Sequence, residues 1–149
     1  MTDVHYYVLG FVFSDDLEKV ALVRRNPEEP ESPYTGIGGK VHYGEIESEV
    51  MEQSFIKKFG IPSGKRFWVS SVSLFQYDCE LREQKVLRIF YKADNKIIKK
   101  LKDLKNPDLT IQKVSELQSI PIIEELTVIV PLLQYCKKNK KITGNLVFE

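Results

Sequence analysis

One segment of the chain, residues 36–61, restricts the fold more than any other stretch of the sequence. It opens with a cluster of three glycines, and neither glycine nor proline interrupts residues 45–59. Apolar side chains recur there with helical spacing and predict one buried stripe on an amphipathic helix, at Met51, Phe55 and Phe59. Gly60 is a typical helix C-terminus. The glycine-rich residues 36–44 are predicted to form a loop in front of this helix.

A phosphate loop of the Walker type is excluded by the residues around Lys40. That motif separates its first glycine by four residues from a Gly-Lys pair and follows the lysine with Ser or Thr. Here Tyr34 and Val41 occupy those two places. Taken alone, the glycines therefore indicate only a tight turn or a close approach of the backbone to another group.

The length and the charge balance favour one compact domain over residues 1–149. The 149 residues are 42% hydrophobic, which suffices for a single core. Lys and Arg number 22 and Asp and Glu 21, a net charge of +1. We therefore expect no nucleic-acid polymer as partner. A regulator that reads DNA would need an appended domain for which the chain has no spare length, so a compact ligand is expected instead.

We expect a cytoplasmic protein without a membrane partner. The first residues lack a basic segment before a long apolar run, and no apolar stretch approaches the ~18 residues of a membrane span. Cys79 and Cys136 are far apart in the sequence and belong to no C-x-x-C pair. Both are therefore predicted to be buried thiols rather than parts of a metal or disulfide framework.

The remaining patterns predict a mixed α/β chain. Residues 26–33 and 94–108 are predicted to be loops, the second with at most a helical turn. A second helix is predicted to start near Pro121 and to run towards Cys136. Runs of β-branched and aromatic residues predict five strands, at residues 4–13, 19–25, 68–79, 85–93 and 109–114.

The spacing of Gly39, Glu45 and Gly60-Ile61 resembles the Nudix box of MutT-like proteins. The family pattern is Gly, five residues, Glu, seven residues, then Arg-Glu-apolar-x-Glu-Glu-x-Gly-apolar, and the frame fits here without a gap. The flanking segments "YYVLGFVF", "KVALVRR" and "PIIEELTVIVPLLQYC" extend the resemblance over nearly the whole chain. It implies an α/β/α sandwich of the Nudix type, a mixed sheet with the box helix and the C-terminal helix on opposite sides.

This box departs from the family pattern at the positions that carry the chemistry of the family. Gln53 stands where the family has Arg, Ser54 where it has the first Glu of the helix, and Lys57 and Lys58 where it has two adjacent Glu. In the family those three carboxylates are ligands for Mg²⁺ or Mn²⁺. A serine hydroxyl is a poor ligand for such ions and two ammonium groups repel them. No metal is therefore expected at these positions, and hydrolase activity is doubtful.

Two interpretations of the role of the lysine side chains remain open. Lys57 and Lys58 could hold a diphosphate directly, assisted by Lys40 and by backbone amides around Gly38 and Gly39 that form an anion-binding concavity. Alternatively, the two helix lysines are solvated charges that complement the helix dipole.

The leading hypothesis is a pseudoenzyme that binds or senses a nucleotide or another nucleoside-diphosphate-linked small molecule. One alternative is a pyrophosphohydrolase that uses Mg²⁺ or Mn²⁺ at a rearranged site, with Glu45 as a catalytic group and Glu45 and Glu47 as fallback ligands. Glu49 and Glu52 are expected to point away from the helix face that carries Ser54. Another alternative is a protein-interaction scaffold without a ligand. The sequence leaves open the base, the linked group and whether the protein forms a homodimer.

Overall fold

The computed structural model describes residues 3–64, 67–138 and 145–148, with the side chains of residues 138 and 145–148 left aside. A 3-10 helix spans Val114–Ser119. The helices are α1 (Glu47–Phe59), α2 (Asn95–Asp103) and α3 (Leu126–Lys138). The strands are β1 (Asp3–Phe13), β2 (Lys19–Arg24), β3 (Tyr34–Thr35), β4 (Ile37–Val41), β5 (Ser71–Asp78), β6 (Glu83–Ala93), β7 (Leu109–Lys113) and β8 (Asn145–Phe148).

The chain divides into two compact units, which are described in turn. The first comprises residues 1–10, 37–91 and 143–149, and the second comprises residues 11–36 and 92–142. A single domain over residues 1–149 stays a prediction.

The first unit is built on a mixed sheet, as predicted. β4 pairs antiparallel with β1, from Tyr6 opposite Val41 to Gly10 opposite Ile37. β5 pairs antiparallel with β6, and β8 adds to β5 in parallel. β8 was not predicted, because four residues after a lysine-rich run give too short a pattern to assign.

The prediction of a loop over residues 36–44 is wrong for residues 37–41, which form β4. A Cβ built on Gly38 would lie 1.9 Å from the carbonyl oxygen of Val8, so only glycine allows β4 to approach β1 this closely. The glycines thus mark a close approach between two strands. Gly10 has a related task, since a Cβ there would lie 2.6 Å from Cε of Met51.

The helix predicted after the glycines is confirmed as α1. Its buried side chains are the predicted stripe, Met51, Phe55 and Phe59. The Phe55 ring lies 5.0 Å from that of Phe59 and 6.0 Å from that of Trp68, measured between centroids. Each such buried side chain contributes about 1.5–3 kcal/mol. Gly60 ends the helix with φ of 72° and donates its N–H to the Ile56 carbonyl at 2.7 Å.

In the second unit, β2 pairs antiparallel with β3 and with β7, and the end of β1 joins β2 with Phe13 opposite Val20. Residues 95–103, predicted to lie in a loop, form α2 instead. Asp94 caps this helix by accepting hydrogen bonds from the N–H groups of Lys96 and Ile97 at 2.9 and 3.1 Å. Its apolar side, Ile97, Ile98 and Leu101, is buried.

The C-terminal helix starts later than predicted, at Leu126 rather than near Pro121. The carbonyl of Pro121 accepts a hydrogen bond from the Tyr34 N–H at 2.9 Å, and Ile122 forms a parallel bridge with Tyr34. Residues 121 and 122 therefore extend alongside β3 instead of opening a helix. None of the helices in the described part of the chain is long and apolar enough to cross a membrane.

The two cysteines differ in exposure. Cys136 is buried in α3, as predicted, and its burial raises the pKa of the thiol. Cys79 is exposed, contrary to the prediction, because it follows the end of β5 in the turn before β6.

Candidate functional site

A hydrogen-bonded turn stands in front of α1. The N–H of His42 donates to Oε1 of Glu45 at 2.6 Å, and the N–H of Glu45 donates to the carbonyl of His42 at 3.1 Å. Gly44, between them, has φ of 85°, a backbone conformation that L-residues rarely adopt. The carboxylate of Glu45 thus closes the turn, which is a structural task independent of any ligand.

Glu47, at the first position of α1, forms an ion pair with Arg88 of β6. Arg88 Nε lies 3.3 Å from Oε2 of Glu47, and the two side chains are 40% and 36% exposed. Residue spacing does not indicate this partner, because Arg88 lies 41 residues further along the chain, on a strand. Both fallback metal ligands, Glu45 and Glu47, are therefore engaged by other groups of the protein.

The structure brings two predicted site residues together, Gly39 of β4 and Ser54 of α1. A Cβ built on Gly39 would lie 3.1 Å from Oγ of Ser54, so Ser54 faces the glycine strand. Lys57 and Lys58 follow at i+3 and i+4 and share this side of the helix. Lys57 is exposed and Lys58 is half-buried.

A concavity of about 650 Å³ runs along α1 and has the volume of a small-molecule site. Its lining includes three residues of the degenerate box, Gln53, Ser54 and Lys57. Glu49 and Glu52, which are expected to point away from the face that carries Ser54, line the same concavity because it extends beyond that face. The full lining is Gly44, Glu45, Ile46, Glu49, Val50, Glu52, Gln53, Ser54 and Lys57.

Glu52 also anchors the segment that follows α1. One carboxylate oxygen accepts from the Ser63 N–H at 3.3 Å, and the other accepts from the Ser63 hydroxyl. Ser63 is buried, so loss of this acceptor would leave buried donors without a partner. Glu52, like Glu45, therefore serves the local structure.

Lys40 belongs to a second concavity, of about 510 Å³. Side chains alternate along a strand, and Gly39 faces Ser54, so Lys40 points to the other side of β4. The structure therefore does not bring Lys40 and Lys57 into one pocket. The second concavity is lined by Val4, His5, Tyr6, Lys40, Val41, His42, Tyr43, Gly44, Glu45 and Glu47.

The backbone around Gly38 and Gly39 is extended and paired with β1. An anion-binding concavity of successive amides requires a turn conformation instead. Among the glycines with described geometry, positive φ occurs at Gly44, Gly60 and Gly64 only. A ligand role for Gly38 and Gly39 stays a prediction, and the expected amide concavity lacks the conformation it would need.

The side chains at the box positions do not fit a divalent metal ion. Ser54 offers a neutral hydroxyl, while Lys57 and Lys58 offer ammonium groups that repel a cation. Within residues 3–64, 67–138 and 145–148, no three His, Cys, Asp or Glu side chains are placed to share a metal ion.

Comparison with known proteins identifies the fold. No protein-family model and no curated protein matches the sequence. Among solved structures, the E. coli ORF135 protein is 13% identical with a TM-score of 0.63, and the match covers 94% of this chain and 95% of that chain. A mutT/nudix family protein from Listeria innocua is 10% identical with a TM-score of 0.59, covering 94% and 98%. The chain therefore has the Nudix fold, as the frame of its box predicted.

A third similar structure corrects the expectation about partners. NrtR from Shewanella oneidensis, crystallised with a 27mer DNA, is 13% identical with a TM-score of 0.65. The match covers 91% of this chain and 63% of that chain. The prediction that excluded a nucleic-acid polymer is therefore wrong, because a protein with this fold binds DNA. A net charge of +1 sums over all residues and does not reveal how the charges are distributed.

Proposed function

We propose that this protein binds a nucleotide or another diphosphate-containing small molecule at the box helix, without hydrolysis through the box positions. The observation that carries the proposal is the placement of Ser54 and Lys57. Both line a concavity of about 650 Å³, at positions where the resemblance implies glutamates. A hydroxyl donor and a lysine ammonium suit phosphate oxygens, whereas they are poor metal ligands.

The charges along the concavity indicate where the phosphates would lie. Its carboxylates are Glu45, Glu49 and Glu52, and two of them already accept hydrogen bonds from the protein. Phosphates would be repelled from this acidic part and attracted to Ser54 and Lys57 further along the helix. The less charged part of the ligand would then occupy the remaining volume.

A second candidate function is metal-dependent hydrolysis at a rearranged site. Glu45 and Glu49 line the same concavity, and Mg²⁺ is often held by one or two carboxylates together with substrate phosphates. This candidate requires Glu45 to leave its hydrogen bond with His42 or to share it. The first candidate requires no such change and no cofactor.

Thermal stability measured against nucleotides and nucleoside-diphosphate sugars tests the proposal. With chelator present, at least one compound should raise the melting temperature. At 100 times the Kd the gain is about 2.7 kcal/mol, which corresponds to roughly 5–11 °C for a domain of this size. Lys57→Gln should weaken the response, whereas Lys85→Gln, at an exposed position of β6, is the matched control and should not.

Turnover assays on the same compounds with millimolar Mg²⁺ or Mn²⁺ separate the two candidates. The proposal expects negligible hydrolysis. Hydrolysis that disappears with chelator and with Glu45→Gln would favour the second candidate. If no compound shifts the melting temperature under any condition, the proposal fails and a scaffold without a ligand becomes the better explanation.

A further inference from the structure

The exposed side of α2 and the residue pair that follows it carry a dense group of lysines. We call this group the α2 lysine face. It consists of Lys96, Lys99, Lys100, Lys102 and Lys105, all of which are exposed. Asp103 is the one acidic residue within residues 95–105. The face lies wholly in the second unit and includes none of the residues proposed above for small-molecule binding.

Residues 95–105 carry a high local density of positive charge. Five lysines and one aspartate give residues 95–105 a net charge of +4. Because the whole chain carries +1, the other residues together carry −3. A near-neutral total thus conceals one strongly basic surface.

The lysines of this face are not used in ion pairs within the described part of the chain. The pairs found there within 4.0 Å join Arg24 to Asp108 and Arg88 to Glu47. Lys100 and Lys102 lie in the last turn of α2, where a cation complements the helix dipole. Lys96 lies in the first turn, where a cation opposes it. Helix stability therefore does not account for the whole set.

α2 presents these charges on a fixed support. Its opposite side is buried through Ile97, Ile98 and Leu101. Asp94 caps its N-terminus with two hydrogen bonds to backbone N–H groups. The lysines consequently project from one ordered surface, so a bound polyanion would not have to order the backbone beneath them.

We infer that the α2 lysine face binds the phosphate backbone of nucleic acid, independently of base sequence. Duplex DNA carries about one negative charge per 1.7 Å, and lysines that neutralise phosphates release counterions. An anionic membrane fits less well, because amphipathic helices bind membranes by inserting apolar side chains and those of α2 are buried. A protein partner fits less well, because Leu104, 38% exposed, is the only large apolar side chain exposed in residues 95–105.

Binding of a labelled mixed-sequence DNA duplex, measured against salt concentration, tests the inference. Four to five phosphate contacts predict that log Kobs falls with log[salt] with a slope of about −4. The double variant Lys96→Gln/Lys100→Gln should reduce the magnitude of that slope by about 1.8 and weaken binding equally for unrelated sequences. Glutamine suits an exposed helix position, so the variant should keep its melting temperature.

The matched control is Arg82→Gln/Lys85→Gln, which removes the same charge from exposed positions outside the α2 lysine face. It should leave the slope close to that of the parent. An equal reduction of the slope in both variants would show that DNA binding depends only on net charge, and would overturn the inference. Absence of duplex binding at low salt would also overturn it. The inference would also be overturned if Lys96→Gln/Lys100→Gln abolished binding to phosphatidylserine vesicles but left DNA binding intact.

Discussion

Restoring the carboxylates of the box should create a metal site on α1. The change is Ser54→Glu, Lys57→Glu and Lys58→Glu together with Gln53→Arg. None of these four positions is buried, so the core stripe of the helix is untouched. The variant should fold, become less stable without metal and recover stability when Mg²⁺ or Mn²⁺ is added.

The size of the loss in stability without metal follows from the charges of α1. Three glutamates and two lysines give the parent helix a net charge of −1, and the substitutions change it to −5. Lys57 and Lys58 lie in the last turn, where each contributes ~0.3–1 kcal/mol, and glutamate reverses the sign of that term. The expected loss is therefore about 2 kcal/mol, or roughly 4–8 °C in melting temperature.

Differential scanning fluorimetry with chelator, Mg²⁺ and Mn²⁺ measures both effects. Metal at 100 times its Kd should return about 2.7 kcal/mol. The control, Lys57→Gln/Lys58→Gln, removes the cations without adding carboxylates and should show no metal response. If the repaired variant responds to metal no more than this control, residues 54, 57 and 58 do not share a ligand-facing surface, and the reasoning is refuted.

Three further results are expected from single changes and thiol labelling. Gly38→Ala should lower the free energy of unfolding in urea by about 3 kcal/mol, because its Cβ would overlap a carbonyl of β1. Gly39→Ala should lower it by less than about 1.5 kcal/mol, because its Cβ would meet only the movable hydroxyl of Ser54. Equal losses would contradict the strand geometry. Asp94→Ala should cost about 1 kcal/mol through loss of the α2 cap, and an unchanged unfolding midpoint would show that the cap contributes nothing. Native protein should react with Ellman's reagent at Cys79 alone, and Cys136, whose thiol pKa is raised by burial, should react only on unfolding. Two rapidly reacting thiols would contradict the burial of Cys136.

The elements that the sequence predicted correctly are those with a strong local pattern. α1 follows from three apolar residues at helical spacing and a terminal glycine. β4 was missed because it forms by pairing with β1, which is distant in the sequence. Gly38 is required by the approach of a strand about thirty residues away in sequence, which no local pattern reports. α2 was missed although its signals were present, namely a capping Asp94 and buried apolar residues one turn apart.

The candidate site was predictable only in part. Ser54 and Lys57 were placed correctly on one surface of α1, since helical geometry fixes their relation. Lys40 was grouped with them wrongly, because its side of the strand depends on the register between β4 and β1. Arg88 reaches Glu47 from another element, and such pairings follow from tertiary packing rather than from residue spacing.

The frame of the box occurs here together with side chains that are poor metal ligands, because its members have structural roles. Glu45 closes the turn before α1 and Gly60 ends the helix with a left-handed backbone, while Gly38, next to the first glycine of the frame, allows β4 to approach β1. Each task would remain if the protein bound no metal. Positions 54, 57 and 58 have no comparable constraint, since none is buried and none lies on the apolar stripe. The spacing of the frame therefore predicts the fold, whereas the chemistry depends on three side chains that the fold leaves free to vary.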